Sequence, residues 1–273
     1  MKRTRKKRKA QSRLPILLTA VLLLLGLAAA VLLQENPAQE PQKPQLPRNP
    51  YSFDGFSEQT GRMAYADGVF RSETGIDVSE HQGEIDWEAV AADGITFALI
   101  RIGYRGYSDG NLGEDPYFRR NFEAAKAAGL DTGVYFFSQA VTETEARREA
   151  EYVLRLLDGA ELEEPVFFDW EYIDDAPEAR TAGMSGEEIT RFAKTFCDRI
   201  SSAGYPAGIY FNQNTADTLI DRAALLDYPL WLAQYADRPD YLYDFAWWQY
   251  SDCGTVAGID PPVDLDIRFV KAE

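Results

Sequence analysis

The chain has 273 residues, 45% hydrophobic and 13% aromatic, enough for one large packed domain with accessory segments. Its net charge is −16, but the first thirteen residues hold eight Lys or Arg and no acid, so the rest carries −24. This acidic body argues against a nucleic-acid partner, and one His with two Cys lacking ligand spacing argues against a His/Cys metal site.

Residues 1–13 form a basic segment, expected in the cytoplasm. Leu14–Leu33 is a 20-residue stretch without charge, the length of helix that crosses a hydrocarbon layer. The positive flank comes first, so the run reads as a signal-anchor with the body exported. A cleaved signal peptide is the competing reading. Ala28-Ala29-Ala30 offers a small-residue cleavage site, although Val31-Leu32-Leu33 continues the apolar run. Either way the body lies outside the cytoplasm. Residues 34–50 place five prolines in a polar background and read as a semi-extended spacer. Residues 51–73 form a short extension with room for one strand or hairpin.

From residue 74 to the end, short apolar runs alternate with helical stretches. Predicted strands are Gly75–Ser79, Phe97–Gly103, Gly133–Ser138, Val166–Asp169, Ala207–Phe211, Leu230–Gln234, Ala246–Tyr250 and Val263–Arg268. Asp115-Pro116 opens one helix, which closes at Ala128-Gly129. Thr142 to Glu145 reads as a capping box for a helix reaching Leu157, and Ser185 to Glu188 as a second box for a helix reaching Ser202. Little room remains for helices between the last three strands. The fold class is therefore α/β: an irregular barrel of eight mainly parallel strands with reduced helices, preceded by one transmembrane helix. An open doubly wound sheet accounts for the alternation equally well. The gathering of polar residues at strand ends favours the barrel. Asp77, Ser138, Gln139, Asp169, Glu171, Asn212, Gln234, Gln249 and Asp264 all fall there.

The run Val166-Phe167-Phe168-Asp169-Trp170-Glu171 carries the most chemistry. Residues i and i+2 of an extended chain share a face, so Asp169 and Glu171 open into one cleft and Trp170 points away. Two carboxyls so close cannot both ionise freely, and one keeps its proton near neutrality. An acid beside a carboxylate is the equipment for glycosidic cleavage. Aromatic residues near strand ends supply faces for sugar rings. Tyr104, Tyr135, Tyr210 and Trp231, with Gln249, are the expected substrate contacts, and Trp247, Trp248 and Tyr250 are further candidates. Cys197 and Cys253 could pair outside the cell, but two buried, unpaired thiols is the simpler expectation.

These pieces, in order, resemble glycoside hydrolase family 25, lysozymes that cut the β-1,4 bond between N-acetylmuramic acid and N-acetylglucosamine. The resemblance rests on Gly75-Ile76-Asp77-Val78-Ser79-Glu80-His81-Gln82-Gly83, Ile85-Asp86-Trp87, Phe97 to Tyr104, Gly133 to Ser138, Phe168-Asp169-Trp170-Glu171, Leu230 to Tyr235, Trp248-Gln249-Tyr250 and Val263 to Asp266. It covers roughly residues 74–270. It implies Glu171 as catalytic acid, Asp169 as its partner, and Asp77 and Asp264 as further cleft acids. No cofactor is implied. Asp266 stands where family members often carry Asn, so the role is kept on Asp264. His81 is expected at the edge of the site, as a hydrogen-bonding or simply a turn residue. The family's substrate acetamido group is commonly proposed as the nucleophile, and the D-x-E spacing fits that as well as direct attack by Asp169.

The implied partners are peptidoglycan glycan strands, and the membrane through the N-terminal anchor. The chain is expected to act as a monomer. Two other readings share the scaffold: a catalytically weak wall-binding module, and a hydrolase of another N-acetylated glycan. Retention of four acids disfavours the first. A structural division protein is disfavoured by the lack of heptads and repeats.

Overall fold

The computed structural model describes residues 45–173 and 176–272. The proposed anchor Leu14–Leu33 lies outside them, as does most of the Pro-rich spacer. No helix among the described residues is long and apolar enough to cross a membrane.

A small hairpin comes first, β1 (Phe56–Gln59) and β2 (Arg62–Tyr65), joined through Thr60 and Gly61 at positive φ. The extension read from residues 51–73 thus carries a hairpin. The next strand, β3 (Phe70–Val78), starts earlier than its sequence pattern, because Phe70–Glu73 pair with the end of the last strand. The following elements are α1 (Trp87–Ala92), β4 (Phe97–Arg105), β5 (Leu112–Glu114), α2 (Phe118–Ala127), β6 (Asp131–Phe137), α3 (Glu143–Leu157) and β7 (Val166–Asp169). Then come α4 (Gly186–Ser201), β8 (Ala207–Asn212), α5 (Gln213–Thr218), β9 (Leu230–Ala233), β10 (Trp247–Gly254) and β11 (Val263–Lys271).

Eight strands close in the order β3-β11-β10-β9-β8-β7-β6-β4, with β4 returning to β3. All neighbours are parallel except β11, which runs antiparallel to both β10 and β3. The barrel expectation holds, with this one reversed strand. A short connection explains it: β10 and β11 are joined without a helix, so the chain must turn straight back. The strand β5 adds antiparallel to β4 outside the ring.

Period-two alternation builds two apolar layers. Outward residues such as Val166, Phe168, Ile209 and Phe211 join the helices in the larger core. Inward residues Phe97, Leu99, Tyr135, Phe167, Tyr210, Trp231 and Ala233 fill the barrel, with Trp247 against them. Large rings are accommodated by small partners. A Cβ on Gly75 would fall 2.3 Å from the Phe97 ring, and one on Gly208 would fall 2.5 Å from Phe167. Below these rings Arg268 of β11 closes the base. It donates to Glu73 (2.6 Å) and Asp131 (2.5 Å), pairs with buried Glu164, and lies 5.3 Å from the centre of the Phe97 ring.

The helix signals read as expected at α4, where Ser185 and Glu188 form a complete box. At α3 only half the box forms. Thr142 caps the Glu145 amide (3.2 Å), while the Glu145 carboxylate turns to the Val141 amide and Arg180.

The cysteine expectation needs correction. Neither thiol is bonded to the other, but only Cys197 is buried; Cys253 is exposed where β10 bends away from the ring beside Ser251. Cys197 sits inside α4 against the barrel, donates to the Gly208 carbonyl (3.4 Å), and has its thiol pushed up by burial. A maleimide is therefore expected to modify one thiol of the native protein, Cys253, and the second only after denaturation. Intact-mass spectrometry before and after guanidinium checks this; two labels on the native protein would contradict it.

Candidate active site

The C-terminal ends of the parallel strands open into a cavity of about 420 Å³. Because β11 is reversed, its first residues reach the same face, and Asp264 pairs directly with Asp77 across the β3–β11 ladder. The cavity gathers Asp77, Asp169, Glu171 and Asp264, the four acids picked from sequence. Tyr135, Tyr210, Trp231 and Gln249 line it too. The strand β7 shows why. Phe167 and Asp169 face inward, Val166 and Phe168 face the helices, and Trp170 is buried off the cleft. Glu171 lies two residues past Asp169 and returns to the same cavity. Its carbonyl accepts from Gln139 Nε2 (3.2 Å), and Gln139 is in turn held by Thr181 Oγ1 (2.7 Å).

Some sequence candidates lie elsewhere. Tyr104 does not line the cleft. The unforeseen β5 covers this end of β4, and the Tyr104 ring lies over Gly113, 5.5 Å from the Arg101 guanidinium. Trp248 is fully buried, with its ring against Phe56 and its Nε1 on the Gln234 carbonyl. Tyr250 is buried beside Trp248, and Trp247 packs on Phe167 beneath the cleft. Ser138 turns out of the site to donate to buried Glu149 (2.6 Å). Asn212 caps α5 by accepting from the Thr215 amide. Gln234 braces Asp240.

Other cavity residues were not anticipated. Ser79, Gln82, Arg101, Tyr107, Phe137, Ile173 and Tyr235 line it; His81, expected at the edge of the site, lines it too. Arg101 had a readable signal, a lone cation inside the apolar run of β4. It donates to Asp115 (2.8 Å) and Glu80 (2.9 Å), and Asp115 also accepts from the Glu80 amide (3.0 Å). This knot ties the end of β3 to the start of α2. Asp266 is the other omission. It faces the same side of β11 as Asp264 and is fully buried, with Trp231 Nε1 donating to it at 2.7 Å.

The electrostatics are those of carboxyls removed from water. Burial pushes Asp169 well above the usual carboxylate range, the charge of Glu171 adds to this, and Arg101 opposes it. Burial, then the charges of Asp264 and Asp266, push Asp77 up as well, although Gln249 Nε2 donates to it at 2.7 Å. Gln249 also accepts from the hydroxyls of Tyr210 (2.9 Å) and Tyr235 (3.1 Å), so its amide orientation is fixed. Asp264 is raised to about 6, by burial and then by Asp252. Asp266 is raised to about 8 by burial, against the Trp231 hydrogen bond.

The charge of Asp266 opposes that of Asp77, so this buried cluster gives up its protons only as pH rises. A carboxyl with a higher pKa folded than unfolded stabilises the fold at low pH. That contribution is lost as pH rises from about 4, the unfolded value, towards the folded value. For Asp266 the window closes near the value of about 8. Asp266→Asn keeps the size of the side chain and cannot ionise. Its Tm is expected to fall less than wild type across this window, so that the variant gains on wild type at the alkaline end. Parallel Tm curves by scanning calorimetry would show that Asp266 does not titrate in this window.

Comparison with known proteins agrees with this geometry. A sequence profile described as glycosyl hydrolases family 25 matches residues 76–259. The chain belongs to this family. Relatives that the chain matches include proteins named lysozymes. The chain is 28% identical over 193 residues to the autolytic lysozyme of Clostridium acetobutylicum, covering 70% of this chain and 54% of that one. The chain thus spans about half the length of that relative. The fold matches the modular autolysin LytC of Streptococcus pneumoniae, solved with a synthetic peptidoglycan ligand, with TM-score 0.64 and 23% identity over 78% of this chain and 52% of that one. It also matches a family 25 glycosyl hydrolase from Bacillus anthracis, with TM-score 0.61 and 21% identity over 72% of this chain and 88% of that one. The family 25 profile begins inside β3, so the β1–β2 hairpin lies before it.

Proposed function

We propose that this chain hydrolyses peptidoglycan at the β-1,4 bond between N-acetylmuramic acid and N-acetylglucosamine. Glu171 serves as general acid and base, with Asp169 stabilising the charge that develops on the sugar. The observation that carries this reading is the convergence of Asp169 and Glu171, with Tyr135, Tyr210 and Trp231, in one cavity of a family 25 barrel. In the first step the Glu171 carboxyl gives its proton to the glycosidic oxygen as the C1–O bond breaks. The deeper Asp169 orients the N-acetyl group and offsets the positive charge at C1. Water then enters, Glu171 takes its proton, and the hydroxyl closes on C1. Because the two carboxyls are coupled, the retained proton belongs to the pair. Asp77, Asp264 and Gln249 form the opposite wall and hold hydroxyls and the acetamido group of the substrate.

Purified peptidoglycan digested by the full chain in detergent provides the test. Products are reduced with borohydride and identified by mass spectrometry. Reduced muramic acid ends support the reading. Reduced glucosamine ends, or cleavage only of chitin-like polymers, would replace it with another glycan specificity. Leu14–Leu33 is proposed to anchor the enzyme with the barrel outside the membrane, supported by its length and basic flank. Release of the protein by carbonate washing of membranes would refute the anchor.

A further inference from the structure

A second groove, about 1000 Å³ in volume, runs along the outside of the barrel between the β1–β2 hairpin and the bend from β10 to β11. It shares one wall residue with the catalytic cavity, Tyr235. The Tyr235 side chain is 54% exposed, yet its hydroxyl is held by Gln249, the residue that holds Asp77. The two depressions therefore meet at a fixed aromatic ring.

The groove is built rather than left over. Arg62 of the hairpin donates to the Asp93 carbonyl (2.5 Å) and pairs with its carboxylate, which also accepts from the Ala257 amide (2.9 Å). Behind this clamp Phe56 packs on Trp248 and Tyr65 on Phe269, with ring centres 5.5 and 5.3 Å apart. The hairpin wall is thereby fixed to the barrel, and it precedes the segment that the family profile matches.

Its chemistry selects among occupants. Glu58 and Asp237 stand exposed on the walls, and the one wall arginine is neutralised by Asp93. Such walls repel the carboxylates of a stem peptide. They suit a neutral chain rich in hydroxyls, which donate to carboxylates, and the Tyr235 face suits the apolar side of a sugar ring. We propose that this groove is an extension of the substrate site that binds the glycan strand beyond the sugars at the scissile bond. The proposal rests on the glycan-hydrolase reading and adds a chain-length dependence to it.

Cys253 lies in the groove and provides a reporter. The full chain carrying Glu171→Gln, in detergent, is labelled there with an environment-sensitive maleimide. It is titrated with peptide-free glycan oligomers whose lactyl groups are capped as methylamides. A single disaccharide is expected to leave the emission unchanged. Long oligomers are expected to shift it and to bind roughly ten-fold tighter than the disaccharide. In unlabelled protein, Thr255→Trp fills the groove and is expected to abolish that length dependence, read by titration calorimetry. Flat emission at every length, or length dependence that survives Thr255→Trp, overturns the groove while wild-type cleavage of the same oligomers leaves the enzyme reading standing. Emission that responds to free stem peptide instead overturns the glycan assignment. If wild type cuts no oligomer and the variant binds none, the enzyme reading fails and the groove proposal falls with it.

Discussion

Glu171→Gln is expected to leave the fold intact and to slow glycan cleavage by about 10³-fold. The amide keeps the size of the side chain but can neither give a proton to the glycosidic oxygen nor take one from water. The loss should therefore appear in kcat and kcat/KM together, with KM little changed. Asp169→Asn is expected to lose a comparable factor, because the buried carboxylate is the counter-charge to the developing cation. The double variant should be scarcely worse than either single one, since the two groups act as a unit. Rates come from release of reducing ends, and unchanged Tm in the variants keeps folding out of the comparison. A Glu171→Gln protein within ten-fold of wild type would remove Glu171 from the acid role.

The second large effect is on stability. Arg268 gathers Glu73, Asp131 and Glu164 at the base of the barrel, and Glu164 is 2% exposed and also accepts from Trp247 Nε1 at 2.9 Å. Arg268→Met keeps the length of the side chain but leaves three acids facing one another around a low-dielectric floor. Breaking one side of a buried pair of this kind costs about 3–5 kcal/mol, which lowers Tm by roughly 10 °C in a domain of this size. The pH dependence identifies the cause. Burial pushes Glu73 up, but hydrogen bonds from Arg268 and Arg71 outweigh it and hold the carboxyl below its ordinary value. An acid held down in this way stabilises the fold above its unfolded pKa, and the gain is lost as pH falls through the folded value. The Tm gap between wild type and Arg268→Met should accordingly be widest at neutral pH and close as the acids protonate. A gap independent of pH would point to lost packing on Phe97 instead.

Much of the barrel was legible because its signal is local. Apolar runs such as Val166-Phe167-Phe168 alternate with capped helices, and that pattern implies parallel strands whatever the tertiary detail. The direction of β11 was not legible, since Val263-Asp264-Leu265-Asp266 reads the same in either orientation. Only the missing helix before it carried a hint. The edge strand β5 is three residues long, too short for periodicity to mark, and Tyr104 was misassigned for that reason. Asp266 could have been found. The rule that put Asp169 and Glu171 on one face applies equally to Asp264 and Asp266. The family resemblance, which implies Asn at this place, kept the role on Asp264 alone. In this chain the Asp266 carboxyl is fully buried and accepts from Trp231 Nε1.

The reversed strand also bears on how the molecule becomes active. Eight of its nine residues pair with β3 almost two hundred positions earlier in the chain. They carry Asp264 of the cleft near their start and, farther along, the arginine of the base. Closure of the ring must wait until residues 263–271 have been synthesised, and contacts of such sequence separation form slowly. A chain that stops before β11 has Glu171 and Asp169 but lacks Asp264 and the seam that completes the wall facing them. Catalytic competence therefore arrives only with this seam of the barrel, and a copy without it holds an acid pair in an unclosed ring.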